Sequence, residues 1–493
     1  MKRYLKKLLN NFGDIVSNYK SFVGRIGLVG ISNILIALSS LIFIPIITKS
    51  FSTAEYGMWT QILTTVALLP NIANLGLPYT MVRFLSAETD KDKFKQSFYP
   101  MIMLTTLSTL IILSIYIIFS GPIAGGLFNG NVYILGVTVI ISFFACINLM
   151  LIAYYRTIKK IKKYSLYLIL QTYIGVIVSS YLTIKGYSLD VVVWGLFTGY
   201  FIVFLLMVID IIHDLGLGFK FSTLKEELTF ALPTVPSSIS TWVVDSSDKY
   251  VIGIFLGSAA VGCYSPGYAL GSVLLMFLSP FAVLLPAILP EYYEKGDMDE
   301  VNKYMKYSLK YYLLLTVPAA VGLSVLSKSL LLSITTFDIA QNGFFVTPFV
   351  ALGAILMGVY GILNNILILE KKTMILGKLW IFVALLNFIL NIFCIPYIGI
   401  LGAAIATLLS YAFAFVVTAF KSRKYMGLPV EYSSSFKIIF ASTIMGLIVY
   451  MLNPIGIINI ILVSILGAVI YFAIIFAFRT VSKKEINVIK SFI

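Results

Sequence analysis

The stretch "FALPTVPSSISTWVVDSSDKYVIGIFLG" places Thr234, Ser237 or Ser238, Thr241, Asp245 and Asp248 three to four residues apart, with Lys249 immediately after. On a helix this spacing draws one continuous polar face. A row of hydroxyls ending in two carboxylates and an ammonium can hold sugars, ions or water. Each charge costs about 2.5 to 3.5 kcal/mol at the centre of a membrane helix, so the three must pair, lie near the interface or face water. Asp245 and Lys249 stand four apart and can form a structural ion pair. A water-filled cavity lined by the stripe is the alternative, and it also accounts for the inner hydroxyls. Pro233 and Pro236 bend the start of this segment. An earlier apolar run echoes the pattern weakly in Asn33, Ser40 and Thr48.

Cations that could meet a phosphorylated substrate are Arg25, Lys49, Arg83 and Lys249. Arginine would supply bidentate contacts and lysine a point charge. Anchoring the topology is the competing role for each. Asn387 and Asn391 share one face of another apolar segment, followed by Gly399, Gly402, Ala403, Ala404 and Ala406. These small residues let helices approach closely in lipid, and the asparagines can hydrogen-bond a neighbouring helix or touch sugar. No catalytic or metal-binding set emerges. His213, the single histidine, lies beside Asp210 and Asp214 without a companion for zinc, and no Walker A sequence is present.

The elements that must carry these residues follow from composition. With 59% hydrophobic and 12% charged residues and a mean hydropathy of +0.97, the chain is an all-α integral membrane protein. Its apolar runs are about 20 residues long, the length of a spanning helix rather than a barrel strand. Fourteen spans are predicted, at 26–48, 57–80, 97–119, 131–154, 165–184, 190–212, 229–254, 260–288, 308–333, 343–369, 374–396, 399–420, 436–452 and 456–478.

The net charge of +15 sits between these spans, which speaks against a nucleic-acid partner. Counting from a cytoplasmic N-terminus, 32 of the 36 Lys and Arg fall on the inner side, so both termini are expected in the cytoplasm. Met1 to Ser17 lacks the apolar core of a secretory signal peptide and reads as an interfacial amphipathic helix or a plain tether. The outer loops are short, and Cys146, Cys263 and Cys394 read as packing residues.

A faint internal repeat aligns "AEYGMW" with "AAVGCY", matching Gly57 to Gly262, and "WGLFTGY" with "LGAAIAT", matching Gly195 to Gly402. The offsets, 262 − 57 = 205 and 402 − 195 = 207, are nearly equal. They predict two six-helix lobes related by a parallel pseudo-two-fold, as in alternating-access transporters. The expected divisions are an N-terminal segment 1–25, an N-lobe 26–214, a C-lobe 215–420 and C-terminal helices 13 and 14 with a tail over 421–493.

The segments "LNFILNIFCIPYIGILGAAIAT", "DKYVIGIFLGSAAVGCYSPGYAL", "LPEYYEKGDMDEVNKY" and "PIITKSFSTAEYGMW" resemble, over nearly the whole chain, the polysaccharide-biosynthesis flippases of O-antigen and capsule assembly. These belong to the multidrug, oligosaccharidyl-lipid and polysaccharide exporter superfamily. The resemblance implies a non-enzymatic flippase of the bacterial cytoplasmic membrane. It would carry undecaprenyl-pyrophosphate-linked oligosaccharide from the inner to the outer leaflet by alternating access through a central polar cavity. Its expected partners are that substrate, membrane lipids, and the polymerase and glycosyltransferases of the same route. No cofactor is implied, and coupling to a proton or sodium gradient stays open. An ion-coupled drug exporter of the same superfamily and a membrane-embedded glycosyltransferase or polymerase are the competing functions.

Overall fold

A computed structural model of the protein describes residues 28–218 and 224–481. Arg25 and the amphipathic reading of Met1 to Ser17 lie outside those residues. Among the described residues the regular structure is helical throughout, with no strand. Twelve helices among the described residues are long and apolar enough to cross a bilayer, and thirteen with one bent pair. Adding α10 (Val235–Leu256), which carries the three charges of the polar stripe, gives a helix for each of the fourteen expected spans.

The first half runs through α1 (Leu28–Ser50), α2 (Thr53–Ala73), α3 (Leu77–Leu85), α4 (Lys91–Ile118), α5 (Ser120–Leu127), α6 (Val132–Thr157), α7 (Ile161–Ile184), α8 (Leu189–Leu215) and α9 (Lys225–Ala231). The second half follows α10 with α11 (Ser258–Ser272), α12 (Ser279–Glu294), α13 (Met298–Ile334), α14 (Phe337–Gly343), α15 (Val346–Leu369), α16 (Thr373–Ile398), α17 (Ile400–Ser422), α18 (Tyr432–Leu452) and α19 (Ile457–Ala477).

The expected single span at 57–80 is instead broken, with α2 and α3 meeting at 52°. Gly76 occupies the left-handed region at φ +75 and Pro78 opens the next helix, so the ladder cannot run through. Pro233 and Pro236 likewise interrupt the start of the stripe segment, where a 3₁₀ turn, Leu232–Thr234, separates α9 from α10.

The chain forms two compact units. Unit 1 holds the described residues of Met1–Phe43, Leu69–Ile118 and Gly136–Val235. Its core gathers Leu77, Met81, Phe98, Met101, Tyr155, Val203 and Met207. α7 and α8 meet closely where a Cβ on Gly195 would overlap the Ser179 side chain.

Unit 2 holds the described residues of Ile44–Leu68, Phe119–Leu135 and Pro236–Ile493. It therefore takes in two pieces of the expected N-lobe together with both C-terminal helices. The reason is a close crossing of α2 with α11. A Cβ on Gly57 would collide with the Ser258 carbonyl, and one on Gly262 with the Thr53 carbonyl. Each glycine faces the residue four before the other, which is the reciprocity of a two-fold contact. Ser258 Oγ also donates to Asn129 Oδ1 at 2.8 Å, fastening the α5–α6 connection. The second repeat pair lies at corresponding positions: Gly195 at the α7–α8 crossing of unit 1, and Gly402 at the α16–α17 crossing of unit 2. A Cβ on Gly402 would stand 2.7 Å from the Cys394 carbonyl. Of the C-terminal helices, α18 sets Gly446 against Val321 of α13, and Tyr471 of α19 donates to the Leu314 carbonyl at 2.8 Å.

Candidate functional site

The chemistry concentrates on α10. Ser237 and Thr241 are exposed, Ser238 and Asp245 are half-buried, and Asp248 is completely buried. The polar face therefore sinks into the protein along its length. At the buried end Asp248 accepts a hydrogen bond from the Tyr264 hydroxyl of α11 and one from the Lys249 backbone N–H at 2.7 Å. Lys249 Nζ stands 3.6 Å from the same carboxylate and 4.3 Å from the centroid of the Tyr268 ring, an ion pair backed by a cation–π contact.

The expected Asp245–Lys249 pair does not form between charged ends. Lys249 Nζ reaches only the Asp245 backbone carbonyl, at 3.4 Å. The Asp245 carboxylate instead accepts from the Tyr411 hydroxyl of α17 at 2.8 Å. The adjacent Asp248 offers Lys249 a completely buried carboxylate whose remaining valences are filled, and in low dielectric that attraction outweighs the half-buried alternative.

A second set of contacts comes from α2. Gln61 Nε2 donates to the Lys249 carbonyl at 2.6 Å, and Thr65 shares a 2.7 Å hydrogen bond with the Tyr250 hydroxyl. Only glycine at 253 leaves room for the Gln61 amide. Gln61 Oε1 and the Trp242 indole N–H are buried without a partner. Tyr264, Tyr268, Tyr411, Gln61 and Thr65 thus complete a polar group that the stripe alone does not reveal.

The family match stands on this frame. Residues 24–289, more than half of the chain, match the model of the family described as polysaccharide biosynthesis protein. The chain belongs to that family.

Two curated relatives come from Haloferax volcanii. The one described as "Probable low-salt glycan biosynthesis flippase Agl15" is 26% identical over 216 residues, 43% of this chain and 45% of that protein. The one described as "Probable flippase AglR" is 31% identical over 171 residues, 33% of this chain and 34% of that protein. The match thus spans less than half the length of either relative. Among solved structures, "Lipid II flippase MurJ, inward closed conformation" superposes with a TM-score of 0.77 at 17% identity, covering 91% of this chain and 98% of that one. That likeness is one of fold.

The remaining candidates of this polysaccharide-biosynthesis protein are dispersed. Asn33 is exposed on α1, Arg83 is exposed in the last turn of α3, and Thr234 is half-buried and bonded to the Ala231 carbonyl at 2.7 Å; all three belong to unit 1. Arg156, in the same unit, lies over the Tyr79 ring at 5.7 Å. Lys160 and Lys163 engage Asp214 and Asp210, the acids flanking His213. In unit 2, Lys49 is exposed and donates to the Ser333 carbonyl at 3.3 Å.

Asn387 and Asn391 are both completely buried, and the expected bond to a neighbouring helix is replaced by one between the two, at 3.0 Å. Asn387 Nδ2 and Asn391 Oδ1 are left unpartnered, at a cost of about 1–3 kcal/mol for each such group. Gly399 takes φ +71 at the turn into α17, Gly402 meets Cys394 of α16, and Ala403 and Ala404 pack into a buried cluster with Ile252 of α10, Tyr264 of α11 and Val350 of α15.

Proposed function

We propose that the protein flips a lipid-linked oligosaccharide, an undecaprenyl-pyrophosphate-linked repeat unit, from the inner to the outer leaflet of a bacterial cytoplasmic membrane. Membership of the polysaccharide biosynthesis family over residues 24–289 carries this reading. The geometry supports it through α10, whose hydroxyl row descends from exposed Ser237 and Thr241 to the tyrosine-bound carboxylates of Asp245 and Asp248. Both termini are cytoplasmic in this reading, because 32 of 36 Lys and Arg then lie inside.

The transport step is alternating access. Arg25 and Arg83 take the incoming pyrophosphate, and the α10 hydroxyls accompany the sugars. The Asp245, Asp248 and Lys249 group couples the cycle to a proton or sodium gradient. The protein acts between the glycosyltransferases that build the unit and the polymerase that joins such units. Deleting the gene should abolish one surface polysaccharide while its lipid-linked unit accumulates on the inner leaflet. Failure to make the lipid-linked unit at all would instead favour an enzyme.

A further inference from the structure

At the end of unit 2 where α13 and α18 begin and α19 stops, a cavity of about 460 Å³ opens among charged side chains. Lys303, Lys306 and Lys310 line it from one face of α13, at the i, i+3 and i+7 positions. Lys437 joins them from α18 and Arg479 from the end of α19. Among the described residues five cations therefore line it with two carboxylates, Asp299 and Glu431, and Lys303 also pairs with Glu300 at 2.7 Å. Glu431 Oε1 and Oε2 stand 3.6 Å from Lys306 and Lys310 respectively, so one acid is divided between two ammonium groups. Burial works to raise the Glu431 carboxyl, yet the Ser434 hydroxyl, Lys310 and Lys306 together hold it below its ordinary range. Lys310 is only 7% exposed, and among the described residues cations outnumber carboxylates at this cavity even with the Lys303–Glu300 pair counted. Thr480, 3% exposed, also lines the cavity, and its hydroxyl has no hydrogen-bond partner. An oxyanion entering the cavity would answer both features.

The surroundings identify the source of that anion. The 37 residues of α13 extend about 55 Å, against a hydrocarbon core of about 30 Å. One end must therefore project through the headgroup layer, and the lysines lie in its first four turns. Beside the cavity, Tyr432 and Phe436 are each 72% exposed. Phe436 stacks on Phe440, which packs edge-on against Phe478. Lys437 joins the two regions, following Phe436 in sequence and donating to the Phe478 carbonyl at 3.1 Å. Exposed aromatics at this level are the mark of a membrane interface, and basic pockets between spanning helices there take anionic headgroups.

We propose that this cavity binds the phosphate of an anionic glycerophospholipid, whose acyl chains lie along the aromatic strip of α18 and α19. The site is separate from the α10 group and independent of what the protein transports. Lysines hold the phosphodiester as point charges, Arg479 supplies paired N–H donors, and the Thr480 hydroxyl gains its missing partner.

Native mass spectrometry of the full chain in micelles tests this with phosphatidylglycerol, phosphatidylcholine and inorganic phosphate as separate titrants. Phosphatidylglycerol should bind at least about tenfold more tightly than phosphatidylcholine. A Lys306→Gln/Lys437→Gln variant should lose about 10- to 30-fold of that affinity, since each lysine near the surface is worth about 1 kcal/mol. Phe436→Ala should weaken the lipid while leaving inorganic phosphate unchanged. Thr480→Val, nearly isosteric, gives a second reading that does not alter charge, and should also weaken the lipid. Equal lipid affinity in the wild type and in both the lysine and Thr480 variants, each with unaltered thermal unfolding, would overturn the site. Phosphate competing stoichiometrically with the lipid, with no effect of Phe436→Ala, would overturn the lipid as its ligand.

Discussion

The reciprocal crossing of α2 and α11 makes a quantitative prediction. Gly57→Ala places a methyl where the Ser258 carbonyl already lies, and Gly262→Ala does the same against the Thr53 carbonyl. Neither obstacle is a flexible side chain, so the backbones must separate. Overpacking of this kind costs about 1–3 kcal/mol, which lowers the folded-to-unfolded ratio by about 5- to 150-fold. Gly136→Ala in α6 is the control, because nothing lies within 4 Å of its added Cβ; its effect should stay within about 0.5 kcal/mol.

The double variant is the sharper test. Both methyls act on one crossing, and once the helices have moved apart for the first, the second meets less resistance. The two costs should therefore sum to less than additivity by about 0.5 kcal/mol or more. Thermal and denaturant unfolding of the four variants in micelles measures this. A Gly57→Ala variant as stable as Gly136→Ala, or a double variant that shows the full sum, would refute the two-fold contact.

Further expectations concern α10. Cysteines at Ser237 and Thr241 should react with membrane-impermeant thiol reagents, whereas cysteines at Val244, Asp248 and Ile252, all completely buried, should not; modification at Val244 or Asp248 would contradict the burial. Lys249→Ala should destabilise the protein by about 3–5 kcal/mol by leaving Asp248 unpaired, while Lys185→Ala, at an exposed cap, should be near neutral. Adding Asp248→Asn to Lys249→Ala should restore much of the loss in thermal unfolding, and no rescue would remove the pair from the account.

How far the sequence carries this structure depends on the range of the determining interaction. Spans such as 374–396 and 399–420 appear as α16 and α17 because length and hydropathy are properties of the segment itself. The stripe of α10 was legible for the same reason, since its period is local. The partners of that stripe were not. Tyr264, Tyr268 and Tyr411 look like ordinary tyrosines in apolar helices until α11 and α17 bring them to Asp245 and Asp248. The choice of Asp248 over Asp245 as the lysine's partner likewise depends on which carboxylate is buried. The α2–α3 break was available in "NLGLPY", whose Gly-x-Pro is a local signal that a hydropathy window averages away. The repeat lay between these cases: two glycine offsets suggested it, and the collisions at Gly57 and Gly262 give it a mechanical meaning.

The fastening of Ile44–Leu68 within unit 2 also has a consequence for biosynthesis. Gly57 precedes its partner Gly262 by 262 − 57 = 205 residues, so at about 5–20 residues per second it waits roughly 10–40 s for the facing helix to emerge. Throughout that interval α2 stands in or beside the translocon with its small-residue face uncovered and the amide of Gln61 without Lys249. An insertase or holding chaperone acting on a nascent chain of this protein should therefore engage its second helix for longer than a helix whose partners are adjacent in sequence. Separately expressed halves, split in the loop before α9, should assemble only when both are made together.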